Sequence, residues 1–404
     1  MFGDRITLLA LPLVAVLTLR ASAAEMGALT AMSWAPSLLS PFIGAWIDRR
    51  EHRRRMMIAA DLARAVIILS VPVGAILGAL SMAHLYTVAF AMGILTVLFD
   101  LSSMTYFLAV VDREDVLDAG GKLSISRTFA DVAGPGIGGV LVETLTAPIA
   151  VIADALSFLV SAMFLRRIKA RELPVESHPE GGPRLWGRIA EGFRFLKRHP
   201  LLRPGLGCAA TVNFFNLMMH ALYVLYLTRE LGLSAGLIGA ILSAGALGGF
   251  LGAFVAPRVG QRLGPGPSTL LGCVLFTAPL VLIPLAAGPT GVVVATLTVA
   301  EVLSTIGVMI FDVNLMNLKL VVTPHALRAR IYGAWRAVNF GVRPVGALAG
   351  GVIGTAIGLR PTLWIATLGA VAGAIWVWLS PLRSLRSLRS IPPEGQDSPV
   401  YPEF

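Results

Sequence analysis

Charge is scarce in this sequence. Of its 404 residues only 14% are Asp, Glu, Lys or Arg, against 56% that are hydrophobic, and mean hydropathy reaches +0.77. Such a composition excludes a water-soluble globular domain, in which about a quarter of the residues carry charge. Cysteine is nearly absent. Cys208 and Cys273 both lie inside apolar runs, which argues against a disulfide framework or a cysteine-based metal site. No Gly-x-x-x-x-Gly-Lys-Ser/Thr loop is present to cradle a nucleotide, and no His-Glu-x-x-His pair to hold zinc. ATP is therefore not the expected driver, and no enzyme activity, cofactor or metal is expected.

What the chain has in quantity is apolar length. Split at charged or Pro/Gly-rich breaks, it gives roughly a dozen stretches of about 18–25 residues, each long enough to cross a bilayer. They fall near residues 3–19, 26–47, 56–80, 84–108, 122–143, 147–165, 202–228, 235–257, 268–287, 290–318, 331–356 and 360–380. Backbone groups inside a bilayer must pair internally, so the choice is helix or closed barrel, and continuous apolarity without alternation selects helix. The expected fold class is all-α integral membrane, with twelve transmembrane helices. The first run is short of a full span, so either that helix is short or about 10–20 residues precede Met1, the reading we favour; Asp4 then lies in mid-span.

The net charge of +10 is not spread as a nucleic-acid surface would be. Basic residues collect in alternate breaks: Arg49 to Arg55, Arg113 and Lys122, Arg166 to Arg203, Arg258 and Arg262, Arg328 and Arg330, and Arg383 to Arg389. The intervening breaks hold little beyond Arg20, Arg229 and Arg360. That alternation is the positive-inside pattern, with both termini cytoplasmic in a cell membrane and the basic loops against anionic lipid.

Residues 166–201 interrupt the apolar pattern and divide the spans six and six. The expected units are residues 1–166, a cytoplasmic linker 167–200, residues 201–382 and a disordered tail 383–404. Within the linker Leu185, Ile189, Phe193 and Leu196 recur at helical spacing opposite Arg188, Glu191, Arg194 and Lys197, which predicts an amphipathic helix on the membrane surface. The halves also match at an offset of about 208 residues. Phe42-Ile43-Gly44-Ala45-Trp46-Ile47-Asp48 aligns with Phe250-Leu251-Gly252-Ala253-Phe254-Val255-Ala256, and Arg127 with Pro135 aligns with Arg336 and Pro344. An even number of spans per half gives both the same orientation. A two-fold axis along the membrane normal follows, with substrate handled between the halves.

Gly44-x-x-x-Asp48-Arg49 followed by Arg53-Arg54 resembles the loop motif of the major facilitator superfamily. Gly134-Pro135-x-x-Gly138-Gly139 resembles that superfamily's antiporter motif, associated with exporters. Finer strings are similar to the branch of enterobactin exporters and macrolide-efflux proteins: Gly3-Asp4 before Ala10-Leu11-Pro12-Leu13, Asp61-x-x-Arg64, Asp154-Ala155-Leu156-Ser157-Phe158-Leu159, Gly192-Phe193-Arg194-Phe195-Leu196 with His199-Pro200-Leu201-Leu202, and Leu327-Arg328-Ala329-Arg330. The resemblance covers essentially the whole chain and departs at Ala256, where the second half lacks the acid of Asp48. It implies a proton-coupled secondary transporter that exports an amphipathic small molecule by alternating access, working as a monomer in the bilayer. An importer on the same fold, or a non-transporting sensor or scaffold, is the alternative.

Under that resemblance Gly44, Asp48 and Arg49 form a latch that joins the halves in the outward-open state. Asp61 and Arg64, at i and i+3, either couple to it or form an interfacial pair that snorkels to the membrane surface. Gly134, Gly138 and Gly139, like Gly346, Gly350 and Gly354 and the set Gly245, Gly248, Gly249 and Gly252, form small-residue ridges for close helix packing, and Pro135 and Pro344 kink their helices. The resemblance adds a seam sealed against proton leak at Gly134, Pro135, Gly138 and Gly139. Ionisable groups inside spans cost about 2.5–3.5 kcal/mol each to insert, so they mark function by default. Asp4, Asp131, Asp154 and Asp312 are the proton-coupling candidates, with Arg127, Arg336 and Arg343 as intramembrane charge partners. Arg127 and Asp131 are spaced to neutralise each other, and Asp312 or Glu301 to answer Arg336 and Arg343. Structural ion pairing is the competing reading for each. Asn213, Asn216, His220 and Tyr223 give the seventh span a polar-aromatic face, fit either to line a cavity or to contact another helix.

Overall fold

Runs this apolar bury their backbone hydrogen bonds by coiling, and helix is the only regular structure among the described residues. The computed structural model describes residues 2–48, 50, 52–111, 115–168, 185–324 and 327–387. The first half comprises α1 (Phe2–Leu13), continued by a π-helical turn (Val14–Thr18), then α2 (Ala23–Trp34), a 3-10 turn (Ala35–Leu39) and α3 (Ser40–Asp48). It continues through α4 (Arg53–Ile76), α5 (Met82–Val110), α6 (Val116–Leu145), α7 (Ala147–Ala150) and α8 (Ile152–Arg167). After the linker helix α9 (Leu185–Arg198) come α10 (Leu202–Arg229), α11 (Ala235–Leu263), α12 (Pro265–Thr277), α13 (Leu282–Leu285), α14 (Thr290–Val322), α15 (Arg328–Ile357), α16 (Leu359–Ala372) and α17 (Ile375–Trp378).

Nine helical segments among the described residues are long and apolar enough to cross a membrane. The first, the second and α6 complete a set of twelve. The second is broken at Pro36, whose missing N–H tightens the chain into a 3-10 turn, and α6 carries Asp118, Lys122, Arg127 and Asp131.

Packing repeats between the halves. α1 lies on α6 and α8 as α10 lies on α15 and α16, while α5 lies on α2 and α4 as α14 lies on α11 and α12. Between the halves α6 crosses α11, and α2 crosses α15. The tight bends after α6 and α15 also correspond: Thr146 turns at φ 112° where Gly358 turns at φ 91°, so the first half holds a β-branched residue in a conformation that favours glycine. The two cysteines meet as free thiols, 3.3 Å apart, and pack α10 against α12.

One end of the bundle carries the basic connections; the opposite end is where the halves touch. There Ser22 and Glu25 form a capping box at the start of α2, and the Ala24 N–H donates to Thr355 Oγ1 on α15 at 3.1 Å. Towards the basic end the halves separate, and residues 121–127 of α6 are exposed on every side of the helix. The molecule is closed at one end and open at the basic end.

The linker helix differs from its expected placement. α9 packs on α15 through Gly192, which lies against the Arg330 backbone, and Glu191 pairs with Arg330 at 2.5 Å. Leu196 is fully buried, whereas Phe193, expected on the same face, is 47% exposed. A glycine lets two helix backbones meet, and that contact turns the helix away from the side its large residues would choose. At the C-terminus Pro381–Ser384 form a 3-10 turn, and Gly266 N–H donates to Leu385 O at 3.0 Å, so the chain stays packed into the region expected to be disordered. Residues 388–404 lie outside the described residues.

Candidate functional site

The first half gathers its charges around Arg64. α4 presents Asp61 and Arg64 one turn apart; they pair directly, and the side chains are 1% and 3% exposed. The guanidinium lies between the rings of Phe99 on α5 and Phe158 on α8, 4.5 and 4.4 Å from their centroids. The snorkelling expected of this pair is therefore wrong: two aromatic rings close over Arg64 and hold it inside the bundle. Asp4 on α1 reaches Arg64 at 3.5 Å. Arg64 stands roughly 16 Å along α4 from the basic end, so Asp4 sits at mid-depth.

Asp154 joins this group from α8 and is fully buried. Its Oδ1 accepts from Ser157 Oγ at 3.3 Å. Thr7 on α1 lies near the carboxyl, and Gly3 lies against Asp154 with no room for a side chain. Asp4 and Asp61 thus share the Arg64 guanidinium, and Asp154 lies beside Asp4 without an ion pair to a described side chain.

Asp131 is held elsewhere. Arg5 on α1 pairs with it at 2.6 Å, not the i−4 neighbour Arg127, which faces Asp100 on α5 instead. The cross-helix partner wins because α1 packs directly on this stretch of α6, where Gly134 lies against Arg5 and Gly138 against Ile6. Gly139 serves the other partner: a Cβ there would sit 3.1 Å from the Gly239 Cα on α11, and the Pro135 carbonyl closes on Gly239 from the same side. The three glycines therefore have two jobs, seating α1 and sealing the halves. At Gly44 a Cβ would come no nearer to a neighbour than 3.8 Å, from Leu101 Cδ1, so a side chain fits in this state. Arg49 and the Asp48 side chain lie outside the described residues. Ala256, aligned with Asp48, is buried against Asn314 of α14.

The second half builds a different surface. Arg343 Nε donates to Asn213 Oδ1 at 3.0 Å, and Asn213 Nδ2 donates to Asn339 Oδ1 at 3.0 Å. The Arg343 guanidinium lies 4.4 Å from the ring of Trp34, across the interface on α2, and 4.9 Å from Phe340; Arg336 lies 4.8 Å from Phe340. Asp312 faces Lys319 and Arg343. Glu301 does not answer the arginines; it faces the buried Tyr223 hydroxyl. His220 on α10 and Asp312 on α14 are both exposed side chains within the second half. Asn216 is half-buried on the same helix as Asn213.

Trp34, Phe340, Asn339, Gly27, Gly239, Gly351 and Glu143 belong to this arrangement without having been singled out from the sequence. Gly27 meets Gly351 as Gly239 meets Gly139. The signal was there: glycines at i, i+4 and i+5 occur at 134, 138, 139 and again at 346, 350, 351. Glu143 Oε2 accepts from the Gly236 N–H at 2.8 Å and from Ser234 Oγ at 3.1 Å, so an acid of one half caps α11 of the other. Ser234 sits in Gly232-Leu233-Ser234-Ala235-Gly236, the spacing of a hydrolase nucleophile turn, but here the serine caps a helix.

The comparisons agree with this architecture. A family model described as transmembrane secretion effector matches residues 13–401. No curated protein sequence matches the chain. Among solved structures, a point mutant of a nucleoside transporter aligns with TM-score 0.77 at 12% identity, covering 94% of this chain and 96% of its own. A bacterial homologue of the human lysosomal transporter Spinster, inward-facing and unoccupied, aligns at 0.68 and 15%, covering 95% and 94%. A bacterial homologue of the iron transporter ferroportin, inward-facing, aligns at 0.70 and 17%, covering 93% and 96%. With twelve helical segments in two matching halves and a family match along nearly its full length, this chain belongs to the transmembrane secretion effectors and is a multi-pass membrane transporter of the major facilitator type.

Proposed function

We propose that the protein exports an amphipathic small molecule in exchange for protons, with both termini and the open end of the cavity facing the cytoplasm. The observation that carries this reading is Asp154, fully buried in the first half, with Ser157 as its hydrogen-bond donor and no ion pair to a described side chain. A charge desolvated in this way is expensive unless it is compensated, which suits Asp154 to a proton whose gain and loss are tied to a change of shape. Asp154 and Asp4 are the coupling carboxyls in this reading, Asp131 being held in an ion pair with Arg5 and Asp312 lying near the cations of the second half.

In the open-to-cytoplasm state the substrate enters between the halves while the proton leaves. Rocking the six-helix units, residues 1–166 against 201–382, then parts Gly139 from Gly239 and Gly27 from Gly351. Gly44, Asp48 and Arg49 close the cytoplasmic side as a latch, with Asp61 and Arg64 connecting it to the coupling site. One proton moving down about 100 mV supplies roughly 2.3 kcal/mol, enough for about a fiftyfold substrate gradient. The description of the family as secretion effectors favours export. An importer gains support only from the nucleoside transporter, whose likeness at 12% identity concerns the fold alone.

The test is accumulation of a panel of amphipathic dyes and drugs in an efflux-deficient host, with and without a protonophore. Protein-dependent, protonophore-sensitive lowering of at least one compound is expected, abolished by Asp154→Asn. Equal accumulation with and without the protein across the panel, or export that survives the protonophore, overturns it.

A further inference from the structure

The faces that α15 and α2 turn towards each other change character along their length. At the closed end Gly351 and Gly27 touch, and Ala347 lies against Gly27. One turn further in, the face carries Arg343, which lies beside the stacked rings of Trp34 of α2 and Phe340. Beyond that the helices part, and Arg336 lies exposed above the other face of the Phe340 neighbourhood. Residues 336, 340, 343 and 347 follow the helical repeat, so all four share the side facing the gap between the halves. A charged side chain at this depth does not face lipid, which leaves the cavity.

Three properties of this wall point to one kind of ligand. Among the described residues neither Arg336 nor Arg343 is in an ion pair within 4.0 Å, although the first half pairs Arg5 and Arg64 with carboxylates. Arg343 and, on α14, Lys319 face one carboxylate among the described residues, Asp312, and Arg336 adds a third positive charge on the side of α15 that carries Arg343. The Arg343 guanidinium lies 4.4 Å from the centroid of the Trp34 ring and that of Arg336 4.8 Å from Phe340, and Arg343 is fixed through Nε by Asn213, itself held by Asn339. A guanidinium oriented in this way keeps its terminal N–H edge for a ligand and accepts a planar anion in a two-point contact. The rings of Trp34 and Phe340, stacked on each other with centroids 6.3 Å apart, give the flat apolar body of such a ligand an aromatic surface to lie against.

We propose that the substrate is an amphipathic organic anion, its carboxylate or sulfonate received by Arg336 and Arg343 and its flat apolar body by Trp34 and Phe340. The inference rests on the transporter reading above and adds the charge of the cargo. It also divides the labour: the acid-rich first half handles the proton, and the cation-rich second half handles the substrate. Because Trp34 comes from the first half and the arginines from the second, the site is complete only while α2 and α15 are close.

Isothermal titration of the full chain in lipid nanodiscs tests this with three probes of one shape: 2-naphthoate, 2-naphthamide and 2-naphthylmethylammonium. The carboxylate should bind at least about tenfold more tightly than the amide, and the ammonium more weakly still. Arg336→Gln, at an exposed position where folding is not at stake, should weaken the carboxylate about tenfold and leave the amide unchanged. Arg343→Gln should do the same, with its fold checked by thermal unfolding. No naphthoate binding up to millimolar concentration, equal binding of amide or ammonium, or an unchanged naphthoate affinity in Arg336→Gln overturns the proposal. Transport of a cationic or neutral compound in the cellular assay would leave the exporter reading standing while this one falls.

Discussion

Gly139 and Gly239 cross so closely that a Cβ on either would lie 3.1 Å from the other's Cα. Gly27 and Gly351 repeat the contact on the opposite flank of the molecule. These four positions bring the two halves together at one end of the molecule, and in the alternating-access reading they part when that end opens.

Adding bulk there should therefore act on one state. Overpacking a tight contact costs about 1–3 kcal/mol. In Gly239→Val that penalty falls only on the state with α6 against α11, so the population should shift about 5- to 150-fold towards the alternative. Spin labels on α6 and α11 near this crossing should move apart, and Gly27→Val should have the same effect through α2 and α15. Unchanged distances together with normal transport would mean that the glycine crossings do not open in the cycle.

The same end is tied by Glu143, which accepts from Gly236 N–H and Ser234 Oγ across the interface. A carboxylate at a helix N-terminus is favourable through both hydrogen bonding and the helix dipole. Glu143→Ala should remove about 1 kcal/mol from the closed arrangement and change the ratio of the two states about fivefold. Glu143 is exposed, so the effect should diminish as salt is raised. Distance distributions recorded at low and high ionic strength check both the size and the salt dependence.

Arg64 invites a different experiment. Its partners are a buried carboxylate, Asp61, the Asp4 carboxylate at 3.5 Å, and the two rings of Phe99 and Phe158. Arg64→Ala leaves Asp61 without its charge partner and should destabilise the protein by about 3–5 kcal/mol. Arg64→Lys should recover only part of this, because an ammonium lacks the flat face that fits between two rings. The double variant with Asp61→Ala should be less damaged than Arg64→Ala alone. Thermal unfolding of the four proteins in a mutant cycle gives the answer, and strict additivity would show that the pair is not coupled.

The span pattern was legible because a bilayer asks for one thing, about 20 apolar residues in a row, and the chain supplies it repeatedly. Charge partners were not legible. Arg127 and Asp131 have the spacing of a helix-surface pair, but α1 brings Arg5 nearer, and nothing in the local sequence records which helix packs on which. The same holds for Arg64: its i,i+3 acid was visible, the rings that bury it came from α5 and α8. On α9 the large residues suggested one buried face, while a single glycine, Gly192, selected another by admitting the α15 backbone. Gly27 and Gly239 passed unnoticed because one glycine in an apolar helix resembles many others. Only the repeated i, i+4, i+5 pattern of their partners sets them apart.

Where the linker enters α10, His199 sets a pH dependence. Its Nδ1 accepts from the Leu201 and Leu202 backbone N–H groups at 3.3 and 3.4 Å, and the ring packs on Phe195. Burial pushes the imidazole down from 6.5 to about 4, since a charged ring is poorly solvated there. The unfolded chain therefore takes up a proton near pH 6.5, whereas the folded protein resists until about 4. Stability from this residue is complete above pH 6.5 and drains away as pH falls towards 4, by up to about 3 kcal/mol. His199→Asn keeps an acceptor for the same backbone groups but does not titrate in this range. Melting curves between about pH 7.5 and 4.5 should show the wild type losing more stability on acidification than the variant. Parallel losses in the two proteins would remove His199 from the account of acid sensitivity.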